Sequence, residues 1–160
     1  MVIIVYDDIR KEREGVLTYD FSNIETFLNM QSVKDALGVE KSFASFSHPV
    51  YEALKGDCAK NSDEGIPALL DKGIKLLIYV GDEDLMCDWI GNFRWVLELN
   101  WSGKEGFTRN SVIQFIVDDE LVELLTKYGP LTFIKVFQTG HMISMDQPKT
   151  TLYMTGHHFK

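Results

Sequence analysis

Residues 74–84 read Ile74-Lys75-Leu76-Leu77-Ile78-Tyr79-Val80-Gly81-Asp82-Glu83-Asp84. The first seven are almost continuously apolar. A run of that length without period-two alternation predicts a strand buried on both faces, as in a parallel sheet. The Gly81-Asp82-Glu83-Asp84 segment predicts a turn. A second run, Leu131–Phe137 (LTFIKVF), predicts another buried strand and leads into residues 138–148, QTGHMISMDQP. Ligands of open α/β sheets gather beyond the carboxyl ends of parallel strands. Asp84 and His141 each follow such an end, so the two are predicted to meet at one rim. Gly140 before His141 predicts a sharp turn that exposes the imidazole.

Working outward, residues 22–38 predict two short helices, with Ser32 capping the second and Gly38 ending it. Residues 49–60 and 62–72 predict two more, the latter ended by Gly73. Val2–Val5 predicts a short strand at the start of an otherwise irregular residues 1–18. Asp88–Trp101 follows helical spacing, with Trp89, Phe93, Val96 and Leu97 on one face. Val112–Val117 and Leu121–Thr126 predict a hairpin around Asp118-Asp119, although the second arm reads equally well as a helix. Residues 147–158 predict a closing helix with Pro148 in its first turn. The order helices, strand, helix, hairpin, strand, helix is an α/β pattern. No repeat or low-complexity linker divides residues 1–160, which predicts a single domain.

With 160 residues, 45% of them hydrophobic, the chain has enough apolar material for a core. The net charge is −8 and no basic run is present, which argues against a nucleic-acid partner. No stretch approaches the ~20 apolar residues of a membrane-spanning helix, and the first residues do not form an export signal. Cys58 and Cys87 form no CxxC pair and predict no disulfide framework. His141, His157, His158 and the cysteines lack zinc-site spacing, so neither a metal nor a cofactor is expected. Trp89, Trp95 and Trp101, at helical spacing, are read as core, and His48 before Pro49 as a helix-entry residue.

A histidine oriented by a buried carboxylate is the base-and-orienter half of a nucleophilic triad. Acid before histidine matches the serine–acid–histidine chain order of α/β-hydrolases. Four segments carry a resemblance: YDDIRKEREG from Tyr6, YDFSNIETFLNMQSVKDALGV from Tyr19, GIPALLDKGIKLLIYVGDEDLMCDWIGNFRWV from Gly65, and YGPLTFIKVFQTGHMISMDQPKTTL from Tyr128. In these the chain resembles the C-terminal third or so of the serine carboxypeptidases of the plant and fungal vacuolar type. The resemblance implies part of an α/β-hydrolase fold and release of C-terminal residues from peptides. It implies Asp84 as the triad acid, in preference to the turn residue Asp82, and His141 as the triad histidine. It also implies that Cys87 and Met142 line the substrate pocket, with plain packing as the competing role for both.

Several departures accompany the resemblance. No serine of this chain lies in a GxSxG elbow, and the oxyanion-hole glycines belong to the family's N-terminal part. Ser144 stands where the family typically has proline and is not read as a relocated nucleophile. Arg13 and Thr18 stand at family disulfide cysteines, Asp88 at a common asparagine, and Asp119 at a turn glycine. The family is typically vacuolar or secreted, whereas the lost cysteines would suit a reducing compartment. Without the N-terminal strands, the strand at 74–80 is expected to expose an apolar edge that invites a partner chain or self-association. Three readings follow. The chain supplies the acid and histidine of a triad completed by a serine-bearing chain, and is inactive alone. Otherwise it is a non-catalytic binding or interaction module, or a structural remnant.

Overall fold

The computed structural model describes residues 5–12, 18–57, 60–117 and 120–158. The chain forms two compact units: residues 19–62, and residues 1–18 with 63–160. In the first unit, α1 (Ser22–Leu28), α2 (Gln31–Leu37) and α3 (His48–Leu54) have no buried residue. Its loops are tied by polar bonds. The Asn29 side chain bonds the Phe43 amide and carbonyl, and Glu25 accepts the Ser45 amide at 2.7 Å. Gly38 ends α2 in the left-handed conformation, φ 66°, as expected. Ser32 does not cap that helix. Met30 is the N-cap, so Ser32 lies inside the first turn, where its hydroxyl no longer faces the free amides. The helix expected over 49–60 stops at Leu54.

The second unit is built on a four-stranded sheet in the order β1 (Leu76–Gly81), β4 (Leu131–Val136), β3 (Glu120–Tyr128), β2 (Ile113–Val117). β1 and β4 are parallel, with Leu76 opposite Leu131 and Gly81 opposite Val136. β4, β3 and β2 form an antiparallel meander, which makes the ambiguous second hairpin arm a strand. β4 is buried along most of its length because a strand pairs on each side of it. β1 is less buried than its apolar run suggests: it pairs with β4 alone, and among the described residues no strand covers its other edge.

Helices pack on both faces of the sheet. On one face, Val80, Leu131 and Phe133 meet Leu70 of α4 (Ile66–Asp71), Val96 of α5 (Trp89–Glu98) and Phe107 of α6 (Lys104–Arg109). The Phe93 and Phe133 rings meet in a tilted arrangement with centroids 4.9 Å apart, and the tryptophans belong to this core as expected. The helix expected over 88–101 ends at Glu98, and a separate short helix, α6, follows it. On the other face, Ile134 and Val136 meet Ile143 of α7 (Ile143–Asp146) and Met154 of α8 (Pro148–His158). Val5 is buried outside any strand, and Val2–Ile4, Arg13, Cys58, Asp118 and Asp119 lie outside the described residues.

One charge breaks the apolar pattern. Glu123 of β3 is buried, and its Oε1 lacks a hydrogen-bond partner. It faces a cavity of about 140 Å³ also lined by Phe115, Thr132 and Met154. Burial pushes its carboxyl up to about 7 from the usual 4.5. The folded chain therefore holds a proton that the unfolded chain releases. The contribution to stability is full below the unfolded value and is lost as pH rises to about 7 and beyond, by up to about 3 kcal/mol. Thermal unfolding across this range should show stability falling with pH in the parent chain and a flatter profile in Glu123→Gln. Parallel profiles for the two would refute the assignment.

Candidate active site

The site begins where β1 and β4 end together. Beyond Gly81, the Asp82 amide donates to the Val136 carbonyl and the Glu83 amide to the Thr139 carbonyl, both at 3.0 Å. The turn after β1 is thus laced to the segment after β4. Gly81 permits this approach, since a Cβ there would collide with the carbonyl oxygens of Thr139 and Gly140. On the other side, Gln138 takes a left-handed conformation, φ 56°, which is unusual for a residue with a side chain. The sharp turn expected from Gly140 is therefore made at Gln138. The buried Thr139 then donates its hydroxyl to Val136 at 3.1 Å, and the Gly140 amide donates to Asp146 at 2.9 Å.

Residues 6–9 strap the two loops. The Tyr6 carbonyl accepts the amides of Leu85 and Met86, and the Ile9 amide donates to Glu83. The Asp7 carbonyl accepts the His141 amide at 2.7 Å. Asp8, fully buried, fixes the strap by accepting the Arg10 amide at 3.0 Å and its guanidinium at 2.9 and 2.6 Å. Burial alone would raise the Asp8 carboxyl, but the hydrogen bonds and charge of Arg10, with Lys11 beyond, hold it below its usual value. Lys11 extends the network to Asp146 at 2.7 Å. In the sequence, YDD is only part of a matching segment. Its role as a strap depends on backbone bonds that leave no trace in composition.

Within this frame the structure brings Asp84 and His141 together. Asp84 Oδ2 lies 2.8 Å from His141 Nδ1. The Asp84 side chain is only 4% exposed and the imidazole 41%. An ionised carboxylate can only accept, so the pairing assigns the proton to Nδ1 and leaves Nε2 as the nitrogen with a free lone pair. Asp84 Oδ1 accepts the Cys87 amide at 3.0 Å, which locks the carboxylate from its other side. Asp82 instead accepts the Thr139 amide, at a long 3.4 Å, and serves the loop junction.

Cys87 is a free, exposed cysteine next to this pair. Burial of part of the thiol, then the charges of Asp84, Asp7 and Asp88, push it above its usual value. One donor atom from each of Asp84, Cys87 and His141 lies within 4.8 Å of the other two. Met142, half-buried, is the N-cap of α7, and its carbonyl accepts the Met145 amide at 2.8 Å. Asp88 caps α5 by accepting the Gly91 amide at 2.8 Å. The helical start beside the site thus has an acidic cap where the resemblance implies asparagine.

The model of the serine carboxypeptidase family matches residues 5–160. A serine carboxypeptidase-like protein of Pisum sativum is 53% identical over 150 residues, covering 93% of this chain and 52% of that protein. Serine carboxypeptidase-like 48 of Arabidopsis thaliana is 52% identical over 150 residues, covering 93% of this chain and 29% of that protein. The chain therefore spans between 29 and 52% of the length of these relatives. Among solved structures, it resembles Kex1(Delta)p, a prohormone-processing carboxypeptidase from Saccharomyces cerevisiae. The TM-score is 0.80 at 21% identity, over 98% of this chain and 36% of that one. This likeness establishes the fold.

The close approach at Gly81 gives a direct test. Gly81→Ala should cost about 1–3 kcal/mol, because backbone oxygens must move to admit the methyl group. A urea midpoint equal to that of the parent chain would show that the two loops do not meet there.

Proposed function

This chain belongs to the serine carboxypeptidase family, and we propose that it carries the acid and base of a Ser-His-Asp triad whose serine lies outside these 160 residues. The observation that carries the reading is the 2.8 Å bond between buried Asp84 and half-exposed His141. In this role Asp84 holds the imidazole tautomer and stabilises the imidazolium. His141 Nε2 takes the serine proton during attack on the peptide carbonyl, then returns it to the leaving amine. The substrate is a peptide that loses its C-terminal residue, with Cys87 and Met142 beside its binding site.

The nucleophile, the oxyanion hole and the terminal-carboxylate site come from a complementary segment carrying a GxSxG elbow. The edge of β1 that no strand covers among the described residues supports such a segment, because an added parallel strand could pair with it. The large apolar side chains of Leu85 and Met86, next in the chain after Asp84, stand exposed and would be covered by it. Self-association through the same edge is the competing outcome, in which case the chain acts as an interaction module without catalysis.

The 160-residue chain alone should release no C-terminal amino acids from peptides, since loss of a triad serine costs on the order of 10⁶ in rate. Mixing it with the serine-bearing N-terminal segment of a plant relative should restore turnover that His141→Ala abolishes. Turnover by the chain alone, lost in His141→Ala, would overturn the proposal. So would a 1:1 complex with the serine-bearing segment that reacts with serine-directed phosphonates at the same rate with or without His141.

A further inference from the structure

The corner that holds the acid–base pair also holds a sulfur donor. Asp84 and Cys87 come from one turn, in which the carboxylate binds the cysteine's own amide. His141 arrives from the loop after β4, held by the Asp7 carbonyl. One oxygen, one sulfur and one nitrogen thus converge within 4.8 Å, with the thiol and imidazole exposed and the carboxylate buried. We propose that Asp84, Cys87 and His141 form a binding site for a borderline-soft divalent cation of the Zn²⁺ class.

The donor chemistry matches that class. Thiolate, imidazole and carboxylate are all zinc ligands, and three protein ligands with a fourth open position form an accessible site. Ligand atoms around a tetrahedral zinc lie about 3.3–3.6 Å apart, given bonds of about 2.0–2.3 Å. The Asp84–His141 pair must therefore open by about half an ångström from 2.8 Å, and the thiol must close from within 4.8 Å by up to about 1.2–1.5 Å. An ion bound at Nδ1 takes the place of the proton shared with Asp84. The imidazole then carries its proton on Nε2, and the thiol proton leaves to solvent. Asp7 and Asp88, whose charges act on the thiol, also favour a cation.

Sequence spacing predicts no metal here, because two donors sit three residues apart and the third comes 57 residues after Asp84. The inference needs no serine. It uses the residues of the triad reading in a second, mutually exclusive way: an ion on Nδ1 breaks the bond that orients the base.

Co²⁺ titration of the metal-stripped chain gives the test, followed by competition with Zn²⁺. One Co²⁺ per chain should bind with a thiolate-to-cobalt charge-transfer band, and Zn²⁺ should displace it. Cys87→Ser should abolish the band and Cys58→Ser should retain it. Asp84→Asn and His141→Ala should each weaken binding about tenfold or more. Absence of the band at saturating Co²⁺, its loss in Cys58→Ser, or unchanged affinity in His141→Ala would overturn the site. Those outcomes leave the triad reading intact, because peptide turnover in the reconstituted pair is measured without metal.

Discussion

The parallel pairing of β1 with β4 is the constraint on which the rest of this molecule depends. It sets Gly81 opposite Val136, so two strands far apart in the chain end at one edge. Everything beyond that edge follows from short range. Gly81 lets the two loops touch, Gln138 turns one of them, and residues 6–9 strap both. Asp84 and His141 are then within hydrogen-bond reach without either loop needing a regular structure of its own. A strand pairing one residue out of register would turn β1's side chains to the opposite face and separate the pair.

The same sheet leaves surfaces that the proposed serine-bearing segment would cover. Its strands are covered by helices on both faces, yet β1 has a free edge among the described residues. Apolar side chains stand exposed beside the acid–base pair, and none of the helices of residues 19–62 buries a residue. Exposed apolar patches of this kind are the surfaces that the proposed segment would use.

Much of this was legible in the sequence, for physical reasons. β4 is buried from both sides, so its apolar run lacks alternation and is read directly as a strand. The strand ends then located Asp84 and His141, because position after a parallel strand is a geometric statement. Other elements carried weaker signals. In β3, Leu121, Leu124 and Leu125 fall at helical spacing, and buried Glu123 disrupts the alternation of a strand. α6 has six residues, too few for a period to show. Ser32 is a good cap residue set two positions too late, since Met30 opens the helix without a side-chain bond. The strap at Tyr6–Ile9 and the clustering of Cys87 with His141 depend on the folded backbone, and no spacing rule reveals them.

The central claim is that Asp84 and His141 are bonded across the β1–β4 rim in the folded chain. Imidazole nitrogen shifts from long-range proton–nitrogen correlation test it most directly. Neutral His141 should be held with its proton on Nδ1, and Asp84→Ala should shift that proton toward Nε2. A His141 with its proton on Nε2 in both the parent chain and Asp84→Ala would contradict the account.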